Sequence, residues 1–228
     1  MHVFSRGVFP LLLLVACSGN ADEPYKAQPA WSGAKPSLPT PPPIASTPIK
    51  TGDSFTVGGA SHHLRSLVHE KEVTAAPITI AGYIVETNYA KAPDCAVHPS
   101  GKGDPPSCTD IPIPSFWIAD IKGDTKGPKI QVIGWARNFA MVYDAMKVYS
   151  AVKDTPSERE LVRDNQLNVV VPFPLPSVGA KVKVTGKYGV SGRLTGDMVA
   201  NPMFGVLTFQ KLETVETAPD RAAFAKKI

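Results

Sequence analysis

Segments rich in β-branched residues, in which polar and apolar positions alternate, recur through the later part of the chain. Five of them predict strands, at residues 77–87, 115–121, 129–135, 181–188 and 206–212. Because successive side chains of a strand point to opposite faces, the pattern is typical of sheets with one buried and one solvated face. The turn Lys122-Gly123-Asp124 lies between the second and third segments and predicts a hairpin.

A helical period interrupts the strands after the third segment. Asn138 is a favourable helix cap. The apolar residues that follow it at helical spacing are Phe139, Val142, Met146 and Tyr149. A second short helix is predicted to start at Thr155-Pro156-Ser157-Glu158, where a capping box coincides with a proline in the first turn. The prolines that then close this helical block are Pro172, Pro174 and Pro176.

Residues 55–72, upstream of the predicted strands, predict an additional strand or helix across the domain. The residues that share one helical face there are Leu64, Leu67 and Val68. The same stretch contains His62, His63 and His69. Because their surroundings are polar, we interpret these histidines as surface residues.

The chain before the domain shows no apolar period. Eight prolines fall between Pro24 and Pro48. Such a stretch cannot bury enough surface to offset its ordering entropy, and it favours extended polyproline II. We therefore predict a disordered Pro-rich linker at 17–53, a globular domain at 54–217 and a C-terminal tail at 218–228.

Residues 1–16 have the features of a secretory leader. Arg6 precedes an apolar run that is far too short to span a bilayer. The run ends in Leu14-Val15-Ala16-Cys17, which resembles the lipobox of bacterial lipoproteins. The resemblance implies cleavage before Cys17 and acylation of that residue, so that the mature protein is anchored to a membrane and does not span it. Because inner-membrane retention usually shows an Asp at the position of Ser18, we expect the periplasmic side of the outer membrane, with the cell surface as the alternative.

Composition and charge limit the choice of partner. With 43% apolar residues, the chain can form a core. Its formal net charge of +4 is too mild to require nucleic acid.

The order of the predicted elements, three strands, a helical segment and two strands, resembles an OB-fold. Gly82 lies inside the first strand, Gly186 lies inside the fourth, and Asn201-Pro202 precedes the fifth. The resemblance covers about residues 73–216. It implies a mainly β protein with a small OB-fold-like barrel and one or two helices between strands three and four. The segment between these two strands is longer than one helix needs, and another small β-barrel or sandwich is the alternative.

Cys95 and Cys108 lie in one Gly/Pro-rich loop between the first two predicted strands. In an oxidising compartment, two such cysteines predict a disulfide. The alternative is a metal site formed by Cys95, His98, Cys108 and an Asp, because Cys-x2-His spacing can place two ligands on one ion.

A second candidate site is basic and aromatic. Lys181, Lys183 and Lys187 share one face of the fourth predicted strand. The resemblance to an OB-fold implies a ligand-binding face with further candidates Tyr83, Trp117, Trp135 and Arg137. Such a face suits an anionic glycan or single-stranded nucleic acid. The alternative is that the lysines form a solvated strand face and the tryptophans fill the barrel.

Motif analysis does not point to catalysis. The sequence contains no Gly-x-Ser-x-Gly, His-Glu-x-x-His or Walker-type motif, and its carboxylates are scattered. We expect a lipid-anchored, non-catalytic envelope binding or assembly module without a cofactor, which engages a protein or an envelope polymer through the barrel face and loops. One alternative is a metal- or redox-dependent enzyme centred on Cys95, His98 and Cys108. The other is single-stranded nucleic-acid binding, which a location outside the cytoplasm disfavours.

Overall fold

The computed structural model describes residues 33, 47–96, 107–109, 111–152, 156–189 and 205–220. The chain divides into two units, residues 1–44 and 45–228, and only Gly33 of the first unit is described. The predicted leader, Cys17 and most of the predicted linker therefore lie outside the described residues. No α-helix in the part that is described combines the length and apolarity needed to cross a membrane.

Within the described residues, the second unit contains nine strands and three α-helices. The strands are β1 (Lys50–Thr51), β2 (Ser54–Thr56), β3 (Ile78–Thr87), β4 (Phe116–Ala119), β5 (Lys129–Ile133), β6 (Arg163–Asp164), β7 (Val169–Val170), β8 (Lys181–Gly189) and β9 (Val206–Glu216). The helices are α1 (Val57–Arg65), α2 (Glu70–Thr74) and α3 (Phe139–Ser150). Single 3-10 turns lie at Tyr89–Lys91 and Asp94–Ala96.

Five strands form a small barrel. β3 pairs antiparallel with both β4 and β8, β4 pairs antiparallel with β5, and β8 pairs antiparallel with β9. A parallel pair, β5 with β9, completes the ring β3-β4-β5-β9-β8. This order, with α3 between the third and fourth barrel strands, is OB-like. The mainly β, OB-fold-like class that the sequence predicts is therefore confirmed, as is the β4–β5 hairpin.

Two glycines lie where the barrel strands approach other backbone. A Cβ added to Gly82 would lie 2.9 Å from the carbonyl oxygen of Ala119. A Cβ added to Gly186 would collide with the carbonyl oxygen of Thr208, beside an irregularity in the β8–β9 register. Both positions need glycine because any larger side chain would separate the strands that close the barrel.

The core fills the inside of the barrel and the contact with α3. The fully buried inward side chains of the barrel include Ile80, Ile84, Ile118, Ile130 and Leu207. α3 begins as predicted, because the Asn138 side chain accepts a hydrogen bond from the Met141 N–H at 2.9 Å. Its buried face, with Phe139 and Val142, joins the same apolar cluster.

The predicted second helix after α3 is wrong. Residues 153–155 lie outside the described part, and the chain that follows makes one turn, in which Glu160 Oε2 accepts hydrogen bonds from the Ser157 N–H and hydroxyl. The chain then enters the β6–β7 hairpin. Asp164 is fully buried there, and its Oδ1 accepts hydrogen bonds from the N–H groups of Gln166 and Leu167. This side chain stabilises a hairpin turn where a continued helix would have to lie.

The segment upstream of the barrel adds both a strand and helices. β2 pairs parallel with β3, and β1 pairs antiparallel with β2. β1 lies inside the stretch predicted as linker, so the described domain starts before residue 54. α1 ends at Arg65, and Leu67 and Val68 in the following turn are 94% and 82% exposed. Of the three residues predicted to share a helical face, Leu64 alone is buried.

Candidate functional site

The candidate site lies on the outer face of the barrel, where β3 lies between β4 and β8. Ile84 and Val182 point into the core. Strand alternation therefore turns Tyr83 and Lys181 outward, and the two residues are register partners on β3 and β8. On its other side, Tyr83 pairs with Ala119 of β4.

Tyr83 lies between two lysines. The Lys181 Nζ is 5.3 Å from the centre of the Tyr83 ring, and the Lys122 Nζ is 6.0 Å from it. Both distances lie within the range of cation–π attraction. The pKa of Lys181 is raised above its ordinary value of 10.5, first by the Tyr83 side chain and then by Glu216, whose Oε1 is 3.4 Å from Nζ. Lys181 therefore remains a cation beside the ring at neutral pH.

Trp117 supplies the second outward aromatic ring. The Lys129 Nζ is 5.9 Å from the centre of this ring, and the same group donates a hydrogen bond of 2.7 Å to Glu86 Oε2. The Lys91 Nζ is 3.5 Å from Glu86 Oε1. The hydrogen bond from Lys129 is the largest cause that lowers the pKa of Glu86 from its ordinary value of 4.5. The carboxylate holds the Lys129 ammonium beside Trp117.

The antiparallel pairing of β3 with β4 places the two rings on one face, and an irregularity in it places Glu86 opposite Trp117. The register shifts between Ile84 and Glu86, so Val85 is buried while Glu86 pairs with Trp117. Since Tyr83 pairs with Ala119, two residues beyond Trp117, the two rings are diagonal neighbours on adjacent strands. Aromatic side chains reach one another over that spacing. We call Tyr83 and Trp117, with Lys122, Lys129 and Lys181, the aromatic face.

Lys183 and Lys187 also point outward from β8, but their surroundings differ. Lys183 pairs with Ala81 on one side and Glu213 on the other. It lines an open polar depression of about 220 Å³ that Glu213, Lys211 and Asp53 also line. Lys187 is exposed and pairs with Thr208. The Lys183 depression therefore presents both charge signs.

Trp135 and Arg137 do not belong to the aromatic face. Trp135 is 0% exposed, and its ring packs edge-on to Tyr89 at 5.6 Å between centres. It follows Gly134, whose φ of +78° turns the chain out of β5 and into the core. The expectation that Trp135 is open to a ligand is thereby corrected. Arg137 lies against the buried Asp164. The backbone N–H of Arg137 donates a hydrogen bond of 3.0 Å to Asp164 Oδ2.

Cys95 and Cys108 form the predicted disulfide, with Cα atoms 5.6 Å apart. Both sulfur atoms are used, so neither offers a thiolate to a metal ion, and His98 lies outside the described residues. Asn88 connects the two ends of this loop. It donates a hydrogen bond to the Ile113 carbonyl at 2.7 Å and accepts one from the Ser115 N–H at 2.9 Å. Sequence patterns did not single out this asparagine, because its partners lie 25 and 27 residues away.

A cluster that the sequence interpretation missed lies between α1 and α2. His63, His69 and Glu72 place their potential metal-binding atoms within 4.8 Å of one another. The interpretation of His62, His63 and His69 as surface residues is wrong for His63, which is 5% exposed because its ring packs against Phe55. No sequence motif pairs His63 with His69. The chain reversal at residues 66–69 brings them together, and no local pattern encodes that reversal.

No protein-family model and no curated protein matches this chain, so the functional argument depends on the geometry of the molecule itself.

Proposed function

We propose that this protein is a lipid-anchored, non-catalytic binding module of the bacterial cell envelope, and that its aromatic face holds an anionic envelope polysaccharide. The observation that carries this proposal is the position of Tyr83 and Trp117, two half-buried outward rings on adjacent strands with lysine ammonium groups 5.3–6.0 Å from their centres. An aromatic ring offers a flat apolar surface on which a sugar ring can lie. A neighbouring ammonium group can pair with a carboxylate or phosphate on the same polymer.

The charge balance of the face favours a polysaccharide over nucleic acid. Glu86 pairs with Lys129, and Glu216 pairs with Lys181, so much of the positive charge is already compensated. Nucleic acids carry closely spaced phosphates, and their binding depends on the release of counterions by several uncompensated cations. A polysaccharide with widely spaced acidic groups needs fewer free cations.

The resemblance at Leu14-Val15-Ala16-Cys17 supports the attachment to a membrane. Two acyl signals on one residue give stable anchoring, whereas one chain binds only marginally. The Pro-rich stretch after Cys17 would then separate the barrel from the bilayer by tens of ångströms, at about 3.1 Å per residue where it is extended. A module held in this way can reach a polymer layer beyond the headgroups.

The structure also bears on the alternative of a metal- or redox-dependent enzyme. The metal-dependent form of that alternative needs thiolates from Cys95 and Cys108, and both sulfurs lie in the disulfide. The aromatic face does not depend on either cysteine, because its residues come from β3, β4, β5, β8 and the β4–β5 turn. The proposed binding therefore does not depend on the chemistry of the two cysteines.

Calorimetric titration of the detergent-purified lipoprotein tests the proposal. The probes are polygalacturonate, neutral dextran and a single-stranded oligo(dT). We expect binding to polygalacturonate alone, and a loss of at least tenfold in affinity for Tyr83→Ala and for Trp117→Ala. Gln210→Ala is the matched control, because Gln210 is exposed on β9 outside the aromatic face.

Each other outcome contradicts the proposal. Oligo(dT) binding with a steep salt dependence would favour the nucleic-acid alternative. Polygalacturonate binding that survives both aromatic substitutions would place the site elsewhere. Binding to neutral dextran, or no binding to polygalacturonate, would contradict the recognition of an anionic glycan.

A further inference from the structure

Three potential metal ligands lie close together at the turn between α1 and α2. His63 lies in the last turn of α1, His69 occupies the N-cap position of α2, and Glu72 lies in the first turn of α2. The His63 Nε2 is 3.1 Å from Glu72 Oε2, and the His69 Nδ1 is 2.8 Å from Glu72 Oε1. Each oxygen of one carboxylate thus faces a nitrogen of a different imidazole.

The fold sets the tautomer and the direction of His63. Its side chain is 7% exposed, and its ring packs edge-on to Phe55 at 5.8 Å between centres. The His63 Nδ1 is 3.1 Å from the Gly59 carbonyl oxygen. A carbonyl has no proton to donate, so Nδ1 carries the hydrogen and the neutral ring has its lone pair on Nε2. Histidines that bind metals are commonly oriented by this kind of hydrogen bond from the other ring nitrogen.

The contact between His63 Nε2 and Glu72 Oε2 is favourable only with a proton or a metal ion between the two atoms. With the His63 hydrogen on Nδ1, the Nε2 lone pair of a neutral ring faces a carboxylate oxygen at 3.1 Å. Two acceptors at this distance repel each other unless a proton or a metal ion lies between them.

We propose that His63, His69 and Glu72 bind one divalent transition-metal ion, with Zn²⁺ as the best match, and leave a fourth coordination position open. Two imidazoles and one carboxylate form a ligand set that zinc accepts in its three-ligand sites. Ligand atoms around a tetrahedral zinc ion lie about 3.3 Å apart, given bonds of about 2.0–2.1 Å. Since the three atoms already lie within 4.8 Å of one another, rotations of the exposed His69 and Glu72 side chains suffice to complete the site.

A bound ion would connect α1 to α2 across an exposed turn. That turn contains Leu67 and Val68, the two most exposed of the large apolar residues in the described chain. α1 and α2 are attached to the core by Leu64 and Val73, so the ion would fix the turn relative to the barrel. None of the three ligands belongs to the aromatic face, and the metal site does not depend on the proposed polysaccharide binding.

Zinc titration of the full-length protein tests the site. The protein carries no polyhistidine tag, and it is first stripped with a chelator. We expect one Zn²⁺ per chain, detected by competition with a chromogenic chelator, and no competition from Mg²⁺, because Mg²⁺ prefers oxygen ligands. Cobalt substitution should give the visible absorption of a tetrahedral ion. Zinc should also raise the thermal unfolding midpoint.

Variants separate the proposed site from unspecific binding. His69→Ala and Glu72→Gln alter half-exposed side chains and should fold normally, and each should lower zinc affinity at least tenfold and remove the thermal shift. His62→Ala is the matched control, because His62 is exposed beside His63 and is outside the cluster; we expect its affinity to change less than twofold. His63→Ala removes a buried ring, so circular dichroism must accompany it. Failure of the native protein to bind zinc, or full binding by both His69→Ala and Glu72→Gln, would overturn the proposal.

Discussion

Asp120, at the end of β4, accepts a hydrogen bond from the Gly58 N–H through Oδ2 at 2.8 Å, although the two residues are 62 positions apart. Its Oδ1 accepts a second hydrogen bond from the Val57 N–H, also at 2.8 Å. One carboxylate therefore satisfies two N–H groups in the first turn of α1, where the helix dipole favours negative charge. A Cβ added to Gly58 would lie 3.2 Å from Asp120 Oδ2, so glycine permits the close approach.

Replacing Asp120 should loosen α1 from the barrel. We expect Asp120→Ala to lower the free energy of unfolding by about 1–2 kcal/mol, because two helix N–H groups lose a charged acceptor. Urea denaturation followed by circular dichroism measures the change. The control Glu213→Gln alters an exposed carboxylate on β9, and its effect should stay below about 0.5 kcal/mol. An Asp120→Ala effect no larger than that of the control would contradict this function of the carboxylate.

The disulfide should contribute to stability through the loop that it closes. Cys95 and Cys108 are 13 positions apart, and closing a loop of this size stabilises a protein by roughly 3 kcal/mol in the chain-entropy model. We expect the double variant Cys95→Ser/Cys108→Ser to lose about that amount in urea denaturation. A thiol assay of the unfolded native protein should detect neither cysteine. Two reactive thiols per chain would show that the bond does not form in the protein as purified.

The ion pair at Glu86 predicts a pH dependence of stability. Its pKa is lowered in the folded protein, chiefly by the hydrogen bond from Lys129, so the unfolded chain binds the proton more readily. The stabilisation is therefore fully present above the ordinary pKa of 4.5 and is lost as the pH falls through the folded value.

Denaturation curves of the native protein and Glu86→Gln, recorded over a range of pH, test the direction of this pH dependence. We expect the stability difference between them to be largest near neutral pH and to shrink steadily as the pH falls below 4.5. The Glu213→Gln variant serves again as the control, since no ion pair of Glu213 is recorded in the described chain. A difference that grows on acidification would mean that Glu86 does not stabilise the folded state as a carboxylate.

Cys17 is the residue whose proposed acylation would attach the protein to a membrane. In a bacterial host, Cys17→Ser should remove fatty-acid labelling and release the protein from the membrane fraction, because the proposed anchor consists of acyl chains on this residue. Metabolic labelling with an alkyne fatty acid, followed by fractionation, measures both effects. Ser18→Ala should retain the label. Recovery of unlabelled native protein in the soluble fraction would contradict the proposal that the protein is a lipoprotein.

Local patterns were sufficient wherever a short segment determined its own structure. β3, β4, β5, β8 and β9 lie within or close to the segments whose alternation predicted them, because burial of every second side chain leaves a local trace in each strand. The Asn138 cap and the disulfide also follow from neighbouring residues or from a simple count of cysteines.

The tertiary structure decided which side chains share a site, since those contacts join distant parts of the chain. Trp135 is as aromatic as Trp117 in the sequence, but the backbone turn at Gly134 places it in the core. The buried Asp164 stabilises a hairpin where a capping motif predicted a helix. Likewise, the sequence alone shows two histidines and a glutamate, and only the packing of α2 beside α1 brings them to one point where a cation can bind.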